Sequence, residues 1–552
     1  MKMLGILNRS RGGAWLYCAA VLIGGVLFLL VYSPLVLVPT YTDWLMAGGD
    51  LSQHYLGWVG YRNSGWTFPI GLTDSLAYPS QTSVIFTDSI PLLAVPFKLL
   101  SPLLPERFQY FGLWGISCFI LQAMITVRIL REHINSPAFL LASSALAVLS
   151  PVMLGRMFAH TALAGHWIIL LAAEPLLAKE RFAGRRLLQR SCLLAALSAS
   201  VHIYFLPMCG ILLLAACQRD AFASELKEGL RSSLNLLAFV AVAAVVIFLL
   251  GGFSPNATAE SDGLGYYSLN LNALFNPQGY SAFLKDKPVA TSGQYEGCAY
   301  LGAGCLLIVF AAVVAGLSSG SPVHLIKRYW KRALPVVLVA AFALVLSLSP
   351  TVTFNERVLF TVPIPSFISH LWSVFRSTGR FGWVVVYLII FSSLIVISKV
   401  GTGRLAAVLV SACLLFQVYD LHFILANTHG RFSEKVEYAN VLDGDVFWDA
   451  STATGDRKHL ILVGDYDLPD RYMFTDWALR HDMTLNTFYF ARPPADIDAN
   501  TKRALDNPSK DNLYVFNRND AQAYQNLDLN LYLIDDYAVG SVDPIDGFVS
   551  ID

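Results

Sequence analysis

Apolar and polar residues fall in blocks along this chain. Over the first 425 positions, apolar runs of about 17 residues or more recur, each closed by basic residues or by Pro, Gly and polar clusters. Runs of that length with little internal charge belong to helices that cross a bilayer. They predict spans near 14–38, 111–130, 136–152, 161–178, 191–203, 206–217, 232–250, 298–318, 333–349, 381–398 and 404–424. That makes about 11 in all. The segments 191–203 and 206–217 are short for full crossings, and "SVHIYFLP" between them holds His202 and Pro207. A tight hairpin or a broken helix is expected there, covered by protein or a water-filled cavity. The run 89–104 is short and broken by prolines, so it reads as a juxtamembrane or re-entrant helix.

Past residue 425 the blocks give way to a polar tail, 426–552, rich in Asp, Asn and Tyr. Within it "HLILVGD", "NLYVFN" and "LNLYLID" read as strands, and "DRYMFTDWALRHD" reads as a helix. The expected architecture is therefore an α-helical polytopic membrane domain, 1–425, followed by a small α/β domain, 426–552. Three long outer loops are expected at 41–110, 251–297 and 350–380.

Lys and Arg set the orientation. Clusters such as Arg128 and Arg131, Lys179 to Arg190, and Lys327 to Arg332 mark the inner side, and the longer outer loops carry fewer basic residues. The N-terminus is then cytoplasmic and the tail lies outside the membrane, which in a bacterium means the inner membrane with a periplasmic tail. The first run follows Lys2, Arg9 and Arg11 and is closed by no A-x-A site, so it reads as a retained anchor.

Composition narrows the picture. The 552 residues are 55% hydrophobic and 14% charged, against roughly 25% charged in soluble domains. A net charge of zero offers no basic surface for nucleic acid. The 8 cysteines show no CxxC and no Cys/His ligand spacing, so neither a disulfide framework nor a zinc site is expected. The match of "GLSSG" to G-x-S-x-G lacks a preceding strand and is set aside, and no Walker A or H-E-x-x-H motif occurs.

The chemistry is expected in the outer loops. In "MAGGDLSQHYLGWVGYR", a helix starting at Leu51 places Asp50, His54, Trp58 and Arg62 at spacings of four. Asp50 then reads either as an N-cap, with Gln53 completing a capping box, or as an acid at a membrane mouth. Asp88 in "IFTDSIP" carries the same two readings. Two carboxylates there could act as base and orienter, or hold a divalent cation through oxygen. In "WSVFRSTGRFGW", Arg376 and Arg380 suit a phosphate or unspecific lipid headgroups. Tyr295 and Glu296 in "QYEGCAYLGAG" line a sugar pocket or serve close helix packing. Arg156, His160 and His166 in "GRMFAHTALAGHW" are ionisable groups near membrane depth, and the bland expectation for each His is a backbone carbonyl partner.

Together, "QHYLGW", "DSIPLLA", "YEG-x-x-YLG" and "FRS-x-GRF" resemble a group of bacterial membrane proteins placed near the GT-C superfamily of glycosyltransferases. The resemblance covers about 40–425. It implies transfer of a sugar from a polyprenyl-phosphate or polyprenyl-diphosphate carrier to a glycan or lipid acceptor at the outer face, with inversion. Carried over, Asp50 is the base, ahead of Asp43, with Asp88 orienting or sharing a divalent cation (Mg or Mn). Arg376 and Arg380 hold the carrier phosphate, and His54, Trp58, Arg62, Tyr295 and Glu296 complete the site. Better-known members carry adjacent acids in the first loop where this chain has one, in "GGDL". A flippase of lipid-linked glycan, or a non-catalytic component of polysaccharide assembly, are the alternatives.

Overall fold

A computed structural model describes residues 13–179, 182–223, 226–253, 263–318, 322–399, 402–449 and 453–550. The chain opens with α1 (Ala14–Tyr32), which ends where Ser33 turns left-handed before Pro34. The first long loop carries α2 (Gly49–Asn63), a ribbon of β1 (Leu72–Thr73) and β2 (Thr82–Ser83), and α3 (Pro91–Leu99). Then come α4 (Phe111–Leu130), α5 (Pro137–Val148), α6 (Pro151–Leu154), α7 (Trp167–Leu177), α8 (Gly184–Val201), α9 (Phe205–Ala223) and α10 (Leu226–Leu249). After the second long loop follow α11 (Ala303–Ser318), α12 (Pro322–Leu348), the hairpin β3 (Thr351–Phe354) and β4 (Arg357–Thr361), α13 (Ser366–Ser373), α14 (Gly382–Ile397) and α15 (Gly403–Ser433).

Among the described residues, 6 helices are long and apolar enough to cross a membrane: α1, α4, the later parts of α10 and α12, Thr378–Ile397 and α15. Shorter apolar helices lie at Pro137–Val148, Thr161–Leu177, Phe205–Arg219 and Ala303–Ser318. This is a multi-pass membrane protein. The expected span 191–203 is different: it is the second half of α8, which begins with Arg185 and Arg186 and buries Leu187, Ser191, Leu194, Ala195 and Ser198, one face only. Between α8 and α9 the helix is interrupted at His202–Tyr204. α3 has 9 residues, a length of about 14 Å, far less than the roughly 30 Å of a hydrocarbon core.

The tail begins later than expected, because α15 continues to Ser433. Beyond it, β5 (His459–Val463), α16 (Leu468–Arg480), β6 (Thr484–Leu485), α17 (Ile497–Asp506), β7 (Asn512–Asn517), β8 (Asn530–Ile534) and β9 (Tyr537–Ser541) build a 5-stranded sheet in the order β6-β5-β7-β9-β8. β5 pairs in parallel with both β6 and β7, so α16 and α17 serve as the crossovers that parallel pairing requires. Leu460 to Val463 and Leu513 to Phe516 are buried without alternation, the mark of strands covered on both faces. β8 and β9 form a hairpin with Ile534 opposite Tyr537, closed by Asp535 in the left-handed region, φ 48°.

This sheet domain sits on the first long loop. Leu485 in β6 donates to Ser75 O (2.8 Å) and accepts from Tyr78 N (2.7 Å), so the loop extends the sheet edge. The Tyr78 ring stacks on His459 at 3.6 Å. Nearer the membrane, Ala491 N donates to Phe86 O (2.8 Å) and Gln53 Nε2 to Tyr489 O (2.9 Å).

Candidate active site

α2 starts at Gly49 behind a Gly48 N-cap, which puts Asp50 inside the first turn. Asp50 makes no cap hydrogen bond; Ser52 Oγ instead accepts from Gly48 N at 3.0 Å. Gln53, the expected capping-box partner, reaches the sheet domain. With the capping role filled elsewhere, the Asp50 carboxylate turns to His160, and Asp50 Oδ2 and His160 Nδ1 are hydrogen-bonded.

His160 is one link of a longer chain. Its Nε2 donates to Glu296 Oε1 at 3.0 Å. A carboxylate on each ring nitrogen requires both nitrogens to donate, so His160 is an imidazolium. Glu296 in turn accepts two parallel bonds from Arg380, Nε to Oε2 at 2.9 Å and Nη2 to Oε1 at 3.0 Å, and is ion-paired with Arg156 Nη1 at 2.8 Å. Glu296 is 2% exposed; a carboxylate this deep persists only when paired in this manner. Two glycines permit the approach. A Cβ on Gly379 would lie 2.5 Å from Gly297 Cα, so only glycine lets the Thr378–Phe381 turn press against Ser292–Gly297 and bring Arg380 to Glu296.

The same network sets the proton affinities. Burial pushes Asp50 up, but the hydrogen bond and charge of His160, with His54 and Arg380 behind, hold it below the usual aspartate value. For Glu296 burial is again outweighed, by Arg380 and Arg156 first, and the group stays well below the ordinary glutamate range. His160 is lowered by burial yet raised overall by Asp50 and Glu296.

Asp88 behaves oppositely. It does not N-cap α3: the residue before that helix is Ile90, and no side chain bonds its end. Asp88 and Ile90 both have positive φ, 54° and 52°, a costly geometry for the β-branched Ile90. The turn is held by Tyr110 Oη on Ser89 O, by Ser89 Oγ on His54 O (2.9 Å), and by Thr87 Oγ1 against Ser89 Oγ (2.9 Å). It presents Asp88 to His202 Nε2 at 3.4 Å. Burial raises Asp88 to about 6, with the nearby Asp50 charge adding to the rise and His160 and Arg380 opposing it.

Asp50, Asp88, His160, Tyr295, Glu296, Arg376 and Arg380 line one cavity of about 310 Å³. Its charges do not cancel. Arg380 is matched by Glu296, but Arg376 stacks on Tyr267 (4.6 Å) and donates to its hydroxyl (2.6 Å), with no carboxylate partner among the described residues. A second such cation comes from the sheet domain: Arg492 lines the cavity and donates to Val374 O at 2.9 Å. Tyr489 stands beside it. The tail residues carry no sequence motif; an arginine in the aromatic stretch "FYFAR" is the only signal.

Three expected site residues lie outside the cavity. The His54 ring is fully buried against Phe111, its nitrogens have no partner among the described residues, and burial lowers it to about 4. Trp58 is fully buried and donates to Phe108 O. Arg62 fastens the Ser101–Glu106 turn through the carbonyls of Ser101, Leu104 and Glu106. The regular spacing misled here because α2 is buried on nearly all sides, so its periodicity does not single out a cavity face. Asp43 faces Arg107 at 3.6 Å, and His166 bonds the Tyr387 hydroxyl at 2.8 Å.

Residues 21–422 match the model of a domain of unknown function, DUF6311, and residues 447–542 match the DUF6311 C-terminal domain. The chain belongs to the DUF6311 family. No curated protein matches it. Among solved structures, it is similar to the archaeal oligosaccharyltransferase AglB from Archaeoglobus fulgidus, in complex with an inhibitory peptide and a dolichol-phosphate. The identity is 11%, the TM-score 0.45, and the alignment covers 93% of this chain and 70% of that chain. In this DUF6311 protein the two matched regions meet at the cavity, since Arg492 belongs to one and Arg376 to the other.

The donor set was also tested for a cation. Among the described residues no group of three or more His, Cys, Asp or Glu side chains is arranged to hold a metal ion. Asp50 is engaged by His160, and Asp88 faces His202. The side chains of this DUF6311 site therefore do not fit a divalent cation by themselves.

Proposed function

We propose that this protein transfers a sugar from a polyprenyl-phosphate-linked donor to a glycan or lipid acceptor at the outer face of a bacterial inner membrane. One observation carries the reading: a single cavity places the Asp50 and Asp88 carboxylates with two guanidiniums, Arg376 and Arg492, that have no acid partner among the described residues.

The reaction needs a base for the acceptor hydroxyl and a counter-charge for the leaving phosphate. Asp88, near 6, suits the base better than Asp50, because a base works best with a pKa close to the working pH. Asp88 takes the hydroxyl proton as the acceptor oxygen bonds to the anomeric carbon. The bond from that carbon to the carrier phosphate breaks, and its electron pair stays on the phosphate oxygen. Arg376 and Arg492 stabilise the charge that develops there. Asp50, held ionised by His160, faces the positive charge that builds on the sugar ring. This assignment moves the base from Asp50, the expectation from sequence, to Asp88.

The test is sugar transfer by the purified protein in lipid nanodiscs from polyprenyl-phosphate-linked and polyprenyl-diphosphate-linked donors. Transfer that Asp88→Asn abolishes, in protein that unfolds at the wild-type temperature, is the expected result. No transfer from either donor with envelope acceptor present would overturn the reading, and transfer unaffected by Asp88→Asn would overturn the assignment of Asp88 as base.

A further inference from the structure

The sheet domain contains a second cavity, of about 660 Å³. It opens beyond the carboxyl ends of β5 and β6, lined by Leu462 within β5, Gly464 and Asp465 after it, and Asn486 and Thr487 after β6. Open sheets with parallel strands bind ligands at such ends.

Its chemistry selects among ligands. Asp465 and Asp498 are balanced by Arg471 and Lys502, so the lining is neutral overall. An anion is disfavoured further, because the nearby first turn of α16 already holds carboxylates: Asp467 caps it by accepting from Asp470 N at 3.0 Å. A helix N-terminus so occupied does not attract phosphate. Phe488, Pro493 and Pro494 supply apolar surface beside these polar groups. Arg471 Nε is buried without a hydrogen-bond partner among the described residues. Apolar faces, dispersed donors and acceptors, and no net charge together suit a hydroxyl-rich neutral molecule.

Its position gives the use. Asn486, Thr487 and Phe488 line the second cavity, Tyr489, Phe490, Ala491 and Arg492 line the first, and Pro493, Pro494 and Ala495 return to the second. One loop is the wall between them, and its middle four residues reach at most about 14 Å. We propose that the second cavity binds the acceptor as a neutral saccharide chain, whose far end it holds while the reacting hydroxyl enters the first cavity. The class of acceptor rests on the transferase reading; the binding of saccharide does not.

The test uses the full chain in nanodiscs, with cellohexaose, maltohexaose and chitohexaose as probes in saturation-transfer NMR. Undecaprenyl phosphate binding is read in the same sample as a measure of the first cavity. Ala495→Trp fills the second cavity from its exposed edge, and the double variant Asp498→Ala/Lys502→Ala removes one charge of each sign without adding bulk. At least one probe receives saturation, and Ala495→Trp weakens it by about tenfold or more, with undecaprenyl phosphate bound as in wild type. The double variant weakens the probe as well. No saturation of any probe in protein that binds undecaprenyl phosphate, or equal binding by wild type and both variants, would overturn the proposal. Probe binding that Ala495→Trp abolishes supports the site even in a preparation that transfers no sugar. The transfer assay alone decides the transferase reading.

Discussion

Two buried glutamates invite comparison. Glu174, in α7, accepts a hydrogen bond from Arg128 Nε at 2.7 Å and is ion-paired with Arg190 Nη2 at 2.7 Å, and Arg190 also donates to Leu171 O. Glu296 is likewise held by two arginines, Arg156 and Arg380. Both are 1–2% exposed. The Glu174 group joins α4, α7 and α8 and faces no cavity described above. The Glu296 group continues through His160 to Asp50 and opens on a cavity where Arg376 and Arg492 remain unneutralised. A buried glutamate with two arginines is thus an anchor in both places. What distinguishes the Glu296 group is the charge left over at its edge.

The sharpest way to break the comparison is to remove both anchors in turn. Glu296→Ala and Glu174→Ala should each destabilise by about 3–5 kcal/mol, because each leaves buried arginines unpaired. Thermal unfolding in detergent measures this. Activity per folded molecule should vanish only for Glu296→Ala; equal loss from both variants would make the Glu174 cluster part of the site. Next comes Asp88→Asn, expected to lower kcat about 10²–10⁴-fold. Asn accepts the left-handed backbone as Asp does, so its melting temperature should stay at or above that of wild type. Arg492→Ala should act more mildly, raising KM for the donor about tenfold, roughly the 1.4 kcal/mol of one charge-assisted contact. Mutating Arg128, in the closed cluster, should leave that KM unchanged. The smallest expected effect is in the pH profile. The rate should rise as pH passes about 6, where Asp88 loses its proton. It should fall again above the raised pKa of His160, where the imidazolium that joins Asp50 to Glu296 is lost. A profile flat from pH 5 to 7, measured as kcat/KM, would remove Asp88 from the base role.

How much of this was legible beforehand differs by element. The strands in "HLILVGD" and "NLYVFN" were readable because buried parallel strands leave compact apolar runs, and "LNLYLID", an antiparallel edge strand, because its short apolar run stands out in a polar tail. β6, of 2 residues, and β9, "YAVGS" with its glycine, leave no such mark. Asp50, Asp88, Glu296, Arg376 and Arg380 stood out as polar residues at the edges of apolar runs. That Arg380 belongs to Glu296 did not, since the partners lie 84 positions apart and meet only through the glycine contact of 297 and 379. His160 was given a backbone carbonyl and in fact bridges two carboxylates. Arg492 was missed because the tail was read as a separate body, whereas its hydrogen bonds to Ser75, Tyr78 and Phe86 make it a continuation of the first loop.

The wall formed by residues 486–495 has a consequence for inheritance. A chimera that exchanged the sheet domain between two family members would carry a cation for the donor and a cradle for the acceptor across the graft together. Preferences at the two ends of the reaction would then travel as one trait, and a graft chosen to alter the acceptor would retune the donor as well.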